Sequence, residues 1–371
     1  MKIGINALYI KWGINAGTET YFTNIVKPWY ENKKINIHFV LYCNEAPPWW
    51  DGEKNNFKIK IYPKTKSLKN RIFTEQAIFP ISITKKNIDV FFNPGYVGIV
   101  LLKIPQVTII HDGFAWVYPK EVGWYKSIYW RILIPMAAKR AKKIIAVSGN
   151  TKNDVVKFCG VDEEKIEVIF AGGSHFEKKS TNLEFLEKNF ISPKSFVHCV
   201  GFFKDIKNPI RILEAYKLYK SRSPFSKIKL VLTGHVGGAR AVEILKYAKS
   251  IDGVINMGRI SDPELVELYS NSLGLIFPSL YEGFGIPILE AQSFNCPVVT
   301  SNVSSMPEVA GSGALLVDPL SVDEIARAIY KLEHDDMSEL VANGHENLKR
   351  FSWPNASEET LEILMAAGCQ S

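Results

Sequence analysis

The stretch FPSLYEGFGIPILEAQSFNCPVVT, residues 277–300, decides how the rest of the chain is read. Leu273, Leu275, Ile276 and Phe277 make an apolar run that fits a buried parallel strand, ended by Pro278 and Ser279. The loop Tyr281-Glu282-Gly283-Phe284-Gly285 follows. Pro287 then stands where the first turn of a helix begins, a position at which its missing N–H would have had no partner anyway. Glu290 falls one turn further in. Two carboxylates thus flank a glycine loop and a helix N-terminus, where free N–H groups and the helix dipole attract anions. A phosphate on the amides, with carboxylates nearby for sugar or ribose hydroxyls, describes a nucleotide-sugar pocket.

Outward from this stretch, strands alternate with helices. FVHCV (196–200), PIRILEAYKLY (209–219), IKLVLTG (228–234), ARAVEILKYA (239–248) and GVINMG (253–258) precede it at a spacing that argues for a parallel sheet covered by helices. Asp262-Pro263-Glu264 opens a further helix with acidic first-turn chemistry. Two helices are expected within 321–350, with Ser321 as a cap, and the amphipathic tail 351–367 carries Trp353, Leu361 and Leu364 on its apolar side.

The first half has the same plan. KIGINAL (2–8) reads as a strand, followed by a turn made permissive by Gly13 and Gly17. Thr18 is the expected N-cap of a helix that turns Tyr21, Phe22, Ile25 and Val26 inward. Further strands are expected at 36–43, 57–62, 88–93, 104–110 and 143–147, a long helix at 122–142, and a cap at Ser148. The stretch 63–76 mixes Lys64, Lys66, Lys69 and Arg71 with Phe73, and its periodicity leaves loop and amphipathic helix both open. His111-Asp112 stands at the carboxyl end of a strand, where ligands of α/β sheets bind. A linker is expected near 171–194, where AGGSHFEKKSTN breaks the pattern.

Length and composition agree with this plan. At 371 residues two domains are expected, and 46% apolar with 22% charged residues is the balance of a globular protein. The five cysteines lie far apart without a C-x-x-C pair, which argues for reduced thiols and against a disulfide framework or zinc site. No apolar run approaches the length of a membrane span, and the N-terminus reads as a strand, not a signal peptide. Residues 1–180 hold 27 Lys and Arg against 15 Asp and Glu, a net of +12, whereas residues 181–371 hold 18 against 23, a net of −5. The first half is therefore expected to face something anionic, with a membrane surface or a phosphorylated lipid as candidates. Nucleic acid is not expected, because no binding motif or stacking-aromatic signature is present.

Glu282 and Glu290, seven residues apart within EGFGIPILEA, resemble the paired glutamates of the family 4 retaining glycosyltransferases. INMGRISDPELVELYSNS (255–272) and SNVSSMPEVAGSGALLVDP (301–319) extend the resemblance, which is strongest to the mannosyltransferase-like branch. It implies a GT-B fold of two Rossmann-like α/β domains, 1–175 on the acceptor side and 194–350 on the donor side. Residues 351–371 are then a helix returning to the first domain.

By the same resemblance Glu290 binds the ribose, Glu282 a hydroxyl of the donor sugar, and Lys207 the diphosphate. The amides of Gly283, Phe284, Gly285 and Ile286 assist at the phosphates, Arg259 and Ile260 adjoin the base, and His111 contacts the sugar. Gly17, with Thr18, lies in the loop that approaches the donor phosphates in the family. The implied reaction moves a hexosyl group, mannosyl from GDP-mannose by preference, with retention onto a saccharide or lipid-linked saccharide. No D-x-D motif is present, so neither metal nor cofactor is expected. The location implied is cytoplasmic, peripheral on the inner face of the membrane.

The chain departs from the family pattern at Phe202 and Ile206, where many relatives carry arginine, and at Cys296, where glycine is common. Lys204 is the candidate substitute for the arginine, without its bidentate fork. Alternatives within the fold are a UDP-sugar-dependent transferase, a nucleotide-sugar epimerase or an α-glucan synthase. The alternative of another class is a non-catalytic nucleotide-sugar-binding scaffold.

Overall fold

In the computed structural model the chain divides into two compact units, Met1–Gly172 together with Ser352–Ser371, and Gly173–Phe351. The structure describes residues 1–13, 16–32, 34–54, 56–84, 87–173, 176 and 183–369.

The first unit is built on seven parallel strands: β1 (Lys2–Ala7), β2 (His38–Cys43), β3 (Phe57–Ile61), β4 (Val90–Asn93), β5 (Gln106–Ile110), β6 (Lys143–Ala146) and β7 (Ile166–Val168). They lie in the order β3-β2-β1-β4-β5-β6-β7. Covered on both faces, the central strands are apolar almost throughout, as parallel sheets require. The helix Trp353–Cys369 closes this unit: Trp29 Nε1 donates to the Ser357 carbonyl at 3.3 Å, and Ser357 Oγ to the Ile25 carbonyl at 2.8 Å. Gly172 has no room for a side chain, because a Cβ there would meet the Trp353 ring at 2.2 Å.

The second unit has six parallel strands: β8 (Phe196–Cys199), β9 (Lys229–Thr233), β10 (Val254–Gly258), β11 (Gly274–Phe277), β12 (Val298–Ser301) and β13 (Leu315–Val317). Their order is β10-β9-β8-β11-β12-β13. In each sheet the chain winds outward to one edge, then returns to continue on the other side. The switch points are β1/β4 and β8/β11, and the crevice beyond the carboxyl ends of such a strand pair is where doubly wound sheets bind ligands.

Several local expectations are corrected. The first helix runs Ala16–Glu31, so Gly17 and Thr18 lie inside its first turn and Thr18 is not its cap. Residues 14 and 15, just before it, lie outside the described residues. The stretch 63–76 is neither a loop nor one regular helix. A 3₁₀ turn (Pro63–Lys66) leads into the helix Leu68–Phe73 and a π-helical segment, Thr74–Ile78. Its charges do not all face water: Arg71 Nε turns inward to 3.7 Å from Glu75, a buried carboxylate that Asn6 also reaches at 3.1 Å. Lys66 is held at 2.6 Å by Glu45.

Of the expected linker, residues 174, 175 and 177–182 lie outside the described residues. The part from 183 onward belongs to the second unit. The helix Glu184–Lys188 buries Leu186 against Phe196, Val231 and Leu268, and Glu267 accepts from the Leu186 amide at 2.8 Å. All five cysteines are free.

Candidate active site

The second sheet brings two loops together at its switch point. β8 and β11 are parallel neighbours, Val197 opposite Gly274 and His198 opposite Leu275. The loop after β8 therefore lies beside the loop after β11, and the Leu280 amide donates to the Ile206 carbonyl at 2.8 Å. Asn208, buried and at φ +63, fastens the pair by donating to the carbonyls of Pro278 at 3.2 Å and Pro319 at 2.5 Å.

Lys207 ends the first loop in a 3₁₀ turn, Asp205–Lys207. Its ammonium sits 2.5 Å from Glu282 Oε1 and 4.4 Å from the centre of the Phe277 ring, with both charged side chains only 18% exposed. The glutamate is held from behind. Its amide donates to Ser304 Oγ at 3.2 Å, while Ser304 Oγ and Ser305 Oγ donate to its carbonyl at 2.7 and 2.9 Å. Ser305 also donates to the Phe284 carbonyl at 2.7 Å, so two serines fix the shape of the glycine loop.

Gly285 turns the loop into the helix Ile286–Ser293 at φ +109, a backbone state that favours glycine. Pro287 occupies the first turn as expected. The amides of Gly285 and Ile286 find no acceptor among the described residues, which leaves donors at a helix N-terminus beside Lys207.

Glu290 lies on this helix and is buried. Tyr269, itself fully buried on the helix Asp262–Asn271, donates to its Oε2 at 2.9 Å. Burial pushes the Glu290 carboxyl up to about 7, and the Asp262 charge adds to this, while the Tyr269 hydrogen bond and the Lys207 charge oppose it. His198 on β8 packs edge-on against the Tyr269 ring at 4.9 Å, and burial lowers its pKa to about 3. Glu290 is thus backed by a neutral, apolar wall.

The structure gathers Lys207, Glu282, Gly283, Phe284, Gly285, Ile286 and Glu290 into the second unit's crevice. Arg259 and Ile260 follow β10, two strands from β8. The Asp262 helix opens with Glu264 accepting from the Ser261 amide at 2.7 Å, the capping role expected there.

The departures from the family pattern find their reason in packing. Phe202 and Ile206 are buried, Phe202 edge-on to Phe203 at 5.4 Å, so both side chains belong to the core. Lys204 is exposed, and Lys207 is the lysine of this loop that reaches Glu282. Cys296 is buried against Ser272 Oγ at 3.1 Å.

Gly17 and His111 belong to the first unit. His111 directly follows β5 and is buried, its Nε2 donating to the Pro94 carbonyl at 2.8 Å. Burial pushes its pKa down to about 4, so the ring is neutral at neutral pH. Tyr21 and Tyr96 pack on it at 4.9 and 5.0 Å. Asp112 accepts from Tyr96 at 2.5 Å and from the Phe114 amide at 2.9 Å.

Known proteins bear on this geometry. Residues 162–351 match the family described as glycosyl transferases group 1, and residues 16–172 match glycosyltransferase family 4. The chain belongs to this family of glycosyltransferases, with the GT-B type of fold. It is similar to O-antigen chain mannosyltransferase B of Escherichia coli, with 29% identity over 262 residues, 69% of this chain and 68% of that protein. It is also similar to O-antigen chain mannosyltransferase RfbU of Salmonella typhimurium, with 28% identity over 257 residues, 68% of this chain and 67% of that one. Among solved structures, Anabaena Alr3699/HepE in complex with UDP and glucose matches with a TM-score of 0.74 at 18% identity, covering 98% and 99% of the two chains. Sucrose-phosphate synthase from Thermosynechococcus elongatus matches at 0.73 and 16% identity, covering both chains in full. At such identities the structural likeness speaks for the fold.

Proposed function

We propose that this glycosyltransferase moves a mannosyl group from GDP-mannose, with retention of anomeric configuration, to a hydroxyl of a saccharide or lipid-linked saccharide during polysaccharide synthesis. The observation that carries the proposal is the crevice holding Lys207, Glu282 and Glu290 around a helix N-terminus, in a chain whose similar relatives include two O-antigen mannosyltransferases.

In this reading Glu290 takes the ribose hydroxyls and Glu282 a hydroxyl of the sugar. The difficult event is departure of the diphosphate from a sugar that gains oxocarbenium character. Lys207 and the Gly285 and Ile286 amides then meet the negative charge as it grows, the form of stabilisation that lowers such barriers most. No carboxylate is assigned as a covalent nucleophile, since Glu282 and Glu290 both hold the donor. The departing phosphate takes the acceptor's proton on the same face, and the positive charge comes from the protein without a metal.

Thermal unfolding with GDP, UDP, ADP and CMP tests the donor. A ligand at 100 times its dissociation constant stabilises by about 2.7 kcal/mol, and GDP alone is expected to do so in wild type and not in Glu290→Gln. UDP acting in place of GDP would replace the mannosyl reading with the UDP-sugar alternative. Proton NMR of slow donor hydrolysis should show α-mannose released first, with EDTA leaving the rate unchanged. β-Mannose first, or a rate abolished by EDTA, would overturn the mechanism.

A further inference from the structure

Between Gly283 and Gly285 the glycine loop has one side chain, Phe284, by which that part of the backbone can be anchored. Ser305 fixes its carbonyl. The Phe284 ring is buried and meets the ring of Phe351 edge-on, with centres 5.8 Å apart and planes at 77°. Aromatic pairs in this arrangement attract beyond the area they bury, and their geometry is specific. Phe351 follows the helix Ser338–Leu348 and is the last residue of the second unit.

Phe351 is itself held in a defined place. Its amide donates to the Leu348 carbonyl at 3.1 Å, and the Arg350 guanidinium lies 5.0 Å from the centre of its ring. Arg350 donates to Asn347 Oδ1 at 2.8 Å and to the Glu308 carbonyl at 3.2 Å. Asn347 is buried and donates in turn to Gln292 Oε1 at 2.9 Å and to the Val309 carbonyl at 2.8 Å. Gln292 lies on the helix Ile286–Ser293, whose N-terminus carries the open amides. Glu308 and Val309 lie on Met306–Ala310, directly after the serines that grip Glu282 and Phe284. One hydrogen-bonded frame thus holds the helix behind the site, and the pair of rings ties the glycine loop to it.

We infer that Phe351 is a positioning residue for the reaction: through the ring of Phe284 it sets the direction of the Gly285 and Ile286 amides. The inference rests on reading this crevice as the donor site. Amides stabilise a departing diphosphate best when they are in place beforehand. The ring pair supplies that; without it, the glycines on either side of Phe284 let the amides turn away from the phosphate. The effect belongs to the phosphate next to the sugar, since Glu290 at the ribose is oriented by Tyr269 instead.

Calorimetric titration of the full chain with GDP and GMP tests it. GMP lacks the phosphate that the amides meet, so Phe351→Leu should weaken GDP about 10-fold and GMP less than about 2-fold. Phe284→Leu should do the same. The double variant should be no worse than either single one, because both substitutions remove the same contact. Leucine keeps the two positions apolar, and melts without ligand check that the fold survives. Phe351→Met, a second apolar replacement without a ring, repeats the measurement should the leucine variant melt early. Equal weakening of GDP and GMP would make Phe351 a merely structural residue and overturn the inference. GDP affinity equal to wild type, or losses that multiply in the double variant, would overturn it too. A wild type that binds UDP and not GDP moves the comparison to UDP and UMP. A wild type that binds no nucleoside diphosphate refutes the donor reading itself, a result distinct from the others, and the inference falls with it.

Discussion

Tyr269 and Glu290 share a buried hydrogen bond of 2.9 Å, joining the helices Asp262–Asn271 and Ile286–Ser293. The phenol ring meets His198 edge-on at 4.9 Å and stacks with Phe294 at 6.3 Å, and its hydroxyl points at one carboxylate oxygen. Oε2 of Glu290 is thereby tied to the tyrosine and the carboxylate is held in one orientation.

Tyr269→Phe should therefore act through Glu290. The hydrogen bond holds the carboxyl's pKa down against burial, so the phenylalanine variant should carry Glu290 protonated to higher pH. Losing a hydrogen bond to a charged group costs about 1.5–3 kcal/mol, or roughly 10- to 100-fold in GDP affinity at neutral pH. Calorimetric titration across pH checks this. The affinity profile should move to higher pH in the variant, whereas a merely structural tyrosine would lower affinity equally at every pH.

Lys207 and Glu282 compete with a donor, since the ammonium that should meet the diphosphate is paired with the carboxylate that should meet the sugar. Glu282→Gln should free the lysine and tighten GDP about 3- to 10-fold, consistent with about 1 kcal/mol from an ion pair mostly shielded from water. The same variant should lose about 100-fold or more in transfer, because the contact proposed for Glu282 with the donor sugar would be weakened. Lys207→Met should weaken GDP and slow transfer together. Opposite signs for GDP binding in the two variants are the outcome to look for in paired titration and rate measurements.

Glu290 also gives stability a pH dependence of predictable sign. Its folded pKa, about 7, lies above the ordinary 4.5, so folding favours the protonated form. That contribution is complete below pH 4.5 and is lost as pH rises through about 7. Relative to Glu290→Gln, wild type should lose roughly 1.4 kcal/mol for each unit by which the pKa is raised. Urea unfolding of both proteins at steps between pH 4.5 and 8 measures the difference; parallel curves would remove Glu290 as the cause.

The glycine loop was legible because its instructions are local. Gly285 must turn at positive φ, Pro287 fits only a first turn, and Glu290 follows one turn later. The alternating pattern gave the parallel sheets for the same reason. The ion pair of Lys207 with Glu282 spans 75 residues and exists because β8 and β11 are neighbours, a consequence of strand order that no short stretch encodes. The family resemblance supplied the lysine, but not its partner.

Tyr269, Ser304 and Ser305 escaped notice because each acts through a hydroxyl on an element 20 or so residues from its target. The inward turn of Arg71 had a local sign that the reading of 63–76 left unused: Glu75 stands four residues on, the spacing of a helical ion pair, and a buried carboxylate calls a cation inward. Phe202 and Ile206 looked like lost charges and prove to be core residues. Thr18 looked like a cap because the helix was expected to start later than Ala16.

The seating of Trp353 beside Gly172 has a consequence for biosynthesis. The ribosome makes residues 353–369 only after all of 173–351, yet their helix covers Trp29 and Ile25 in the first unit. At 5–20 residues per second, the early-made sheet waits roughly ten to forty seconds for its last helix. During that interval the nascent chain carries an open apolar flank, a natural place for a chaperone to bind, while the second unit has every strand it needs.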